Sequence, residues 1–184
     1  LIVKTGINDA IVERLQRMDR GSIAETIENN VRKTIIRSEL SDPAFFAKMS
    51  ELLEEIIRAR REKAIAYEEY LERIAALACK VAAGVDDDAP EAVRKSAGLR
   101  ALYNALKGDE EVGARVAEDA AAGSGDPFLA LAATLHHRIL EDRHHGWRGN
   151  RARENRIRQV ILDVTRMEDL VDDLFSIIKA QGEY

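Results

Sequence analysis

Apolar residues recur along this chain at steps of three and four, the spacing that lines one face of a helix. Ile11, Leu15 and Met18 follow the possible cap Asn8-Asp9 and predict a short first helix, with Gly21 as its stop. Ser22-Ile23-Ala24-Glu25 has the form of a capping box, and Ile23, Ile27, Val31 and Ile35 then repeat every fourth residue. Asp42 as N-cap and Pro43 at the first helical position open another helix, whose stripe is Phe46, Met49, Leu53 and Ile56. Tyr67, Tyr70, Ile74, Leu77 and Val81 repeat the rhythm. These last two stripes are expected to face each other as an antiparallel pair that turns between Arg58 and Lys63. One continuous long helix is the alternative, because Ala64-Ile65-Ala66 contains no breaker.

Punctuation then divides the chain. Gly84, the run Asp86-Asp87-Asp88 and Pro90 mark a linker over 84–98, between a helical part at 1–83 and a second at 99–184. Leu99, Leu102, Tyr103 and Leu106 predict a helix ending at Gly108, and Asp109 caps another that runs to about Ala122. After the loop Gly123-Ser124-Gly125-Asp126-Pro127 comes a stripe of Phe128, Leu131, Leu135 and Ile139, which must end before Gly146. Arg151 to Val164 forms the next helix. Thr165-Arg166-Met167-Glu168 reads as a second capping box, leading into Leu170, Leu174, Ile177 and Ile178. The pattern as a whole predicts an all-α fold, a bundle of about seven to nine helices with no sheet, its two parts packed as one helical domain.

Composition strengthens this picture. Of 184 residues 46% are apolar, only 5% are aromatic, and there are three prolines, a balance that favours helices over strands. A chain of this length hides roughly 70% of its unfolded surface, so it needs no disulfide or metal to hold it together. Its one cysteine, Cys79, cannot form an internal bridge and is expected to be a small buried residue. No apolar run suggests a membrane span, and Leu1-Ile2-Val3 is too short for a signal peptide, so a reducing cytoplasm is the expected location. The first residue is not Met, which points to a piece of a longer chain.

The sequence lacks a phosphate loop of the form G-x-x-x-x-G-K-[ST], a G-x-G-x-x-G turn, a G-x-S-x-G elbow and an E-x-K triplet. Neither catalysis nor a cofactor is therefore expected within this segment. Two clusters remain. His136, His137, Glu141, His144 and His145 could offer ligands to zinc if His137, Glu141 and His144 shared one face of a continuous helix; capping and solvated histidines at a charged helix end are the stronger alternative. From Arg143 to Arg158 the chain is locally basic, with only Glu154 to offset it, although 28 Lys and Arg against 33 Asp and Glu give a net charge of -5 overall. Trp147, Arg148, Asn150, Arg151, Arg153, Arg156 and Arg158 are the candidate contacts, either for a partner protein or for the phosphates of duplex DNA. Against this stands a solvated face with Trp147 plugging the bundle, or pairing of the arginines with Glu168, Asp169, Asp172 and Asp173 inside the fold. Tyr67 and Tyr70 lie at stripe positions and are expected to pack.

Several ordered blocks resemble a family. Thr26-Ile27-Glu28-Asn29-Asn30-Val31-Arg32-Lys33, Asp42-Pro43-Ala44-Phe45 with Met49-Ser50-Glu51-Leu52-Leu53, and Tyr67-Glu68-Glu69-Tyr70-Leu71 are similar to the C-terminal helical region of type I restriction enzyme R subunits. So are Gly146-Trp147-Arg148-Gly149-Asn150 and the closing Ile177-Ile178-Lys179-Ala180-Gln181-Gly182-Glu183-Tyr184. The likeness covers residues 20–83, 99–107 and 146–184. It departs from the family at Ala66, where a polar cap is expected, at Gly182, and at 117–127, which resembles an insertion. The resemblance implies a parent subunit with a Mg-dependent nuclease domain and ATP-driven DNA-translocating motor domains. The present segment would then contribute assembly with the modification (methyltransferase) and specificity subunits, alongside the subunit's own nuclease and motor domains.

Overall fold

The computed structural model describes residues 20–86, 89–119 and 125–184, and all regular structure among them is helical. Nine helices are present there: α1 Arg20–Ser38, α2 Pro43–Arg61, α3 Tyr67–Ala83, α4 Glu91–Arg94, α5 Ala97–Gly108, α6 Glu110–Asp119, α7 Pro127–Asp142, α8 Arg151–Thr165 and α9 Val171–Ala180. The helix expected around Ile11, Leu15 and Met18 lies outside the described residues. None of the described helices is long and apolar enough to cross a membrane.

The chain forms two compact units. The first comprises the described residues of Leu1–Ser38 together with Phe46–Asp87. Its core takes most of the predicted stripes, Val31 and Ile35 from α1, Phe46, Met49 and Leu53 from α2, and Tyr70, Ile74, Leu77 and Val81 from α3, while Ile23, Ile27, Ile56 and Tyr67 are only half-buried and Ala24 and Ile57 are buried in their place. The partnering differs from expectation, since α3 makes its closest approach to α1 rather than to α2. One reason is polar: the Tyr70 hydroxyl donates to Glu28 at 3.1 Å, and burial first, then that carboxylate, pushes the phenol up to about 12. Nor does Gly21 stop a helix or Ser22 start one, because α1 runs through both. A helical glycine costs only about 1 kcal/mol relative to alanine, too little to end a helix whose apolar stripe continues.

Helices α2 and α3 are separate. Lys63 takes a left-handed conformation at φ 57°, and the Ala64 N–H donates to the Ala59 carbonyl at 2.9 Å, which turns the chain. Ala66 precedes α3 in extended conformation with no side-chain cap. At the other end Gly84 closes α3 at φ 66°, its N–H donating to Lys80 O at 2.8 Å, as its place in the sequence predicts.

The second unit joins Glu39–Phe45 to Asp88–Tyr184. Here α5 packs on α7, α7 on α8, α8 on α9, and α9 back on α5, closing a ring of four helices. Each supplies two core residues one turn apart: Leu102 and Leu106, Leu135 and Ile139, Ile157 and Ile161, Leu174 and Ile178, all essentially without exposure. The i, i+4 repeat brings such pairs onto one face, which is why the same interval recurs on every helix of the ring. The expected linker contains a structured turn, α4, whose Val93 is fully buried beside α5.

Short polar side chains set the helix starts. Ser96 accepts from Leu99 N at 3.0 Å, Asp109 from Val112 N at 3.0 Å, and Asp126 from Phe128 N at 3.0 Å. The capping box expected at Thr165 does not form. Thr165 is the last residue of α8, its hydroxyl donates back to Ile161 O at 2.8 Å, and Arg166 turns left-handed at φ 59°. Helix α9 therefore begins later, at Val171, without a side-chain cap.

Candidate functional site

The most elaborate polar structure in the second unit gathers around the segment after α9. Arg148 lies in the turn between α7 and α8, and its guanidinium reaches the carbonyls that a helix end leaves unpaired. Nε donates to Lys179 O at 3.0 Å, Nη1 to Tyr184 O at 2.6 Å, and Nη2 to Gln181 O. Its guanidinium carbon stands 4.6 Å from the centre of the Trp147 ring. Arg143 Nη1 donates to the carbonyl of Glu183, and the Gln181 side-chain amide to that of Ser41.

The side chains of the same segment reach other helices. Glu183 accepts from Ser96 Oγ at 2.9 Å and from Gly98 N at 2.8 Å, at the start of α5. A carboxylate is favoured there by the helix dipole and the free N–H groups. The Tyr184 hydroxyl lies 2.7 Å from His136 Nδ1, and a Cβ on residue 98 would stand only 2.5 Å from that hydroxyl, so Gly98 makes room for the ring. Burial lowers the affinity of His136 for a proton, against the opposing pull of Glu183, and a neutral imidazole can accept the tyrosine proton. Tyr184 is itself driven far up by burial first and Glu183 second, so its phenol stays protonated and acts as a hydrogen-bonding, space-filling group.

Most of the predicted contact residues turn out to hold the fold. Trp147 is 3% exposed and stacks edge-on against Phe175 at 6.1 Å, so its indole offers no surface to a partner. Asn150 caps α8, accepting from Arg153 N at 3.2 Å, while the Arg153 side chain donates to His145 O. Arg156 pairs with Asp142 at 3.0 Å. Arg158 pairs with Asp172 at 3.2 Å, one of the acidic residues expected as an internal partner, and lies 3.6 Å over the Phe175 ring. Arg151 is exposed. Glu154, the lone acid of the stretch, is held below the usual carboxylate range by Lys179 at 2.8 Å and by the Gly149 N–H.

The histidine cluster is not assembled as a ligand set. His137 and Glu141 are paired at 3.1 Å on α7, but the helix ends at Asp142 and Arg143 turns to extended backbone. His144 thus sits in the following turn instead of continuing the His137–Glu141 face. Among the described residues no three His, Cys, Asp or Glu side chains converge on a metal position. Cys79 is half-buried in α3.

Two features carried no sequence signal that was recognised. One is the Glu183–Tyr184 docking onto Ser96, Gly98 and His136. The other is the burial of Asp42, which caps α2 through Phe45 N at 3.3 Å, as its place before Pro43 predicts, but also accepts from the distant Asn104 Nδ2 at 2.7 Å. Burial raises its carboxyl to about 6, despite the two hydrogen bonds and Arg100, which favour the charged form. No protein-family model, curated protein or solved structure matches this chain.

Proposed function

We propose that this chain is the C-terminal helical region of a type I restriction enzyme R subunit, and that its own task is to dock that subunit on the methyltransferase and specificity core. The observation that best supports this is that the two far-end blocks of the resemblance meet in three dimensions. Arg148 of the Gly146–Asn150 block donates to the carbonyls of Lys179, Gln181 and Tyr184 in the Ile177–Tyr184 block. An internal clamp of this kind draws on both blocks at once. In this reading the nuclease and the ATP- and Mg-dependent motor belong to other parts of a cytoplasmic parent subunit.

Docking falls to an apolar groove of the second unit. Leu40 is 80% exposed and lines, with Pro43, Ala44, Ala105, Leu170 and Ile177, a cavity of about 680 Å³. An exposed leucine beside a recess is the kind of anchor that association buries. The 184-residue chain should be retained by reconstituted modification and specificity subunits at both low and high salt, and Leu40→Asp should weaken retention at least tenfold. No retention at low salt overturns the proposal.

A further inference from the structure

We infer that the cavity bounded by Arg143, His144, His145 and Arg148 is a binding site for a phosphate group. This stands apart from the docking reading and would survive its failure. The cavity, about 470 Å³, is closed by Gly146, Trp147 and Tyr184, so no carboxylate side chain lines it. That is unusual for a chain of net charge -5. Three nearby cations are neutralised locally, Arg156 by Asp142, Arg158 by Asp172 and Lys179 by Glu154, while Arg153 donates to the His145 carbonyl and Arg151 is exposed.

At the cavity no Asp or Glu side chain pairs with either arginine. Arg143 donates to the Glu183 carbonyl, and Arg148 to the carbonyls of Lys179 and Gln181 and to the main-chain oxygen of Tyr184. The acids adjoining the lining residues in sequence are engaged elsewhere, Asp142 by Arg156 and Glu183 by Ser96 Oγ and Gly98 N. Each guanidinium has five N–H donors, so the three that Arg148 uses still leave some for a ligand, and the same bonds hold the group in place beforehand. His144 and His145 are exposed, and neither imidazole has a partner among the described residues. They are presented on a tight turn, with Trp147 N donating to His144 O at 3.1 Å and Gly146 at φ 68°. Four donor-bearing side chains suit the oxygens of a phosphate better than the two of a carboxylate. The phosphate could be free or part of a nucleic-acid backbone, and the chemistry required is the same.

Trp147 is the chain's single tryptophan and forms part of the wall, so its fluorescence responds to events in this cavity. The 184-residue chain is titrated at constant ionic strength with inorganic phosphate, with acetate, and with a short blunt duplex. Phosphate should give a saturable change in emission that acetate does not. The double variant His144→Gln, His145→Gln should bind at least tenfold more weakly with an unchanged circular dichroism spectrum, while Arg151→Ala binds as the parent does. A duplex that binds and is displaced by phosphate identifies the backbone as the source; a duplex that does not bind assigns the site to free or small-molecule phosphate. The proposal is overturned by no saturable response to phosphate, by an equal response to acetate, or by undiminished binding in the double histidine variant.

Discussion

The two units are built from the same helical stripes but are secured differently. In the first, the apolar faces of α1, α2 and α3 carry the structure, and apart from the part-buried Tyr70–Glu28 bond its polar ties, such as Arg32–Glu54 at 2.7 Å, lie at the surface. Such exposed pairs contribute roughly 0–1 kcal/mol. In the second, a closed ring of helices is supplemented by a non-helical segment whose carbonyls are gathered by Arg148 and whose side chains fill the space beside Gly98. The difference teaches that a stripe suffices to make a helix pack, whereas fixing a chain segment without a stripe takes directional hydrogen bonds. Directional bonds need particular donors, so replacing Arg148 should matter in a way that replacing Arg32 does not.

That contrast can be broken in three ways. The largest effect is expected at Ile74, which is fully buried in the first unit: Ile74→Ala should cost about 3–4 kcal/mol of unfolding free energy by urea titration, from lost transfer energy plus a cavity. A cost below about 1 kcal/mol would mean that the stripes do not carry that unit. The next concerns pH. The folded state raises the Asp42 carboxyl to about 6, against the ordinary value of 3.8. Between those values the folded chain holds a proton that the unfolded chain has released. Stability is therefore highest below pH 4 as far as this group is concerned, and it falls as pH rises to about 6, by up to ~3 kcal/mol. Asp42→Asn, also a good N-cap, should remove that loss. Urea midpoints of parent and variant at pH 4 and pH 7 give the comparison, and an identical fall in both would show that Asp42 is not responsible. The smallest effect is expected at Arg148: Arg148→Ala should cost about 2 kcal/mol, and Arg148→Lys should restore less than half of it, because an ammonium cannot span three carbonyls. A loss no larger than that for Arg32→Ala would erase the distinction between the units.

How much of this was legible follows from the same physics. Stripes such as Phe46, Met49 and Leu53 or Leu135 and Ile139 are visible because burial follows a fixed repeat, and caps such as Asp126-Pro127 because they act within three residues. The pairing of α3 with α1 was not visible, since periodicity says which face is buried but not what covers it. Thr165 misled for a related reason: a threonine before Glu168 fits a capping box, yet the same hydroxyl can bond back to Ile161 and end a helix instead. At the candidate site, the arginine run and Trp147 stood out by composition. Their roles depend on contacts reached across long separations, such as Arg148 to Tyr184 and Ser96 to Glu183, for which a local pattern holds no information.

The bond from Asn104 to Asp42 also has a bearing on the order of synthesis. These residues are 62 positions apart, and the Asp42 segment belongs to the second unit although Phe46–Asp87 follows it directly in the first. At about 5–20 residues per second, Asp42 leaves the ribosome roughly 3–12 seconds before its partner does. Throughout that interval it is an ordinary solvated carboxylate at the head of α2, able to start that helix through its own cap. Only when α5 emerges can Asn104 reach it, so the same side chain first caps a helix and later ties two distant stretches of one unit together.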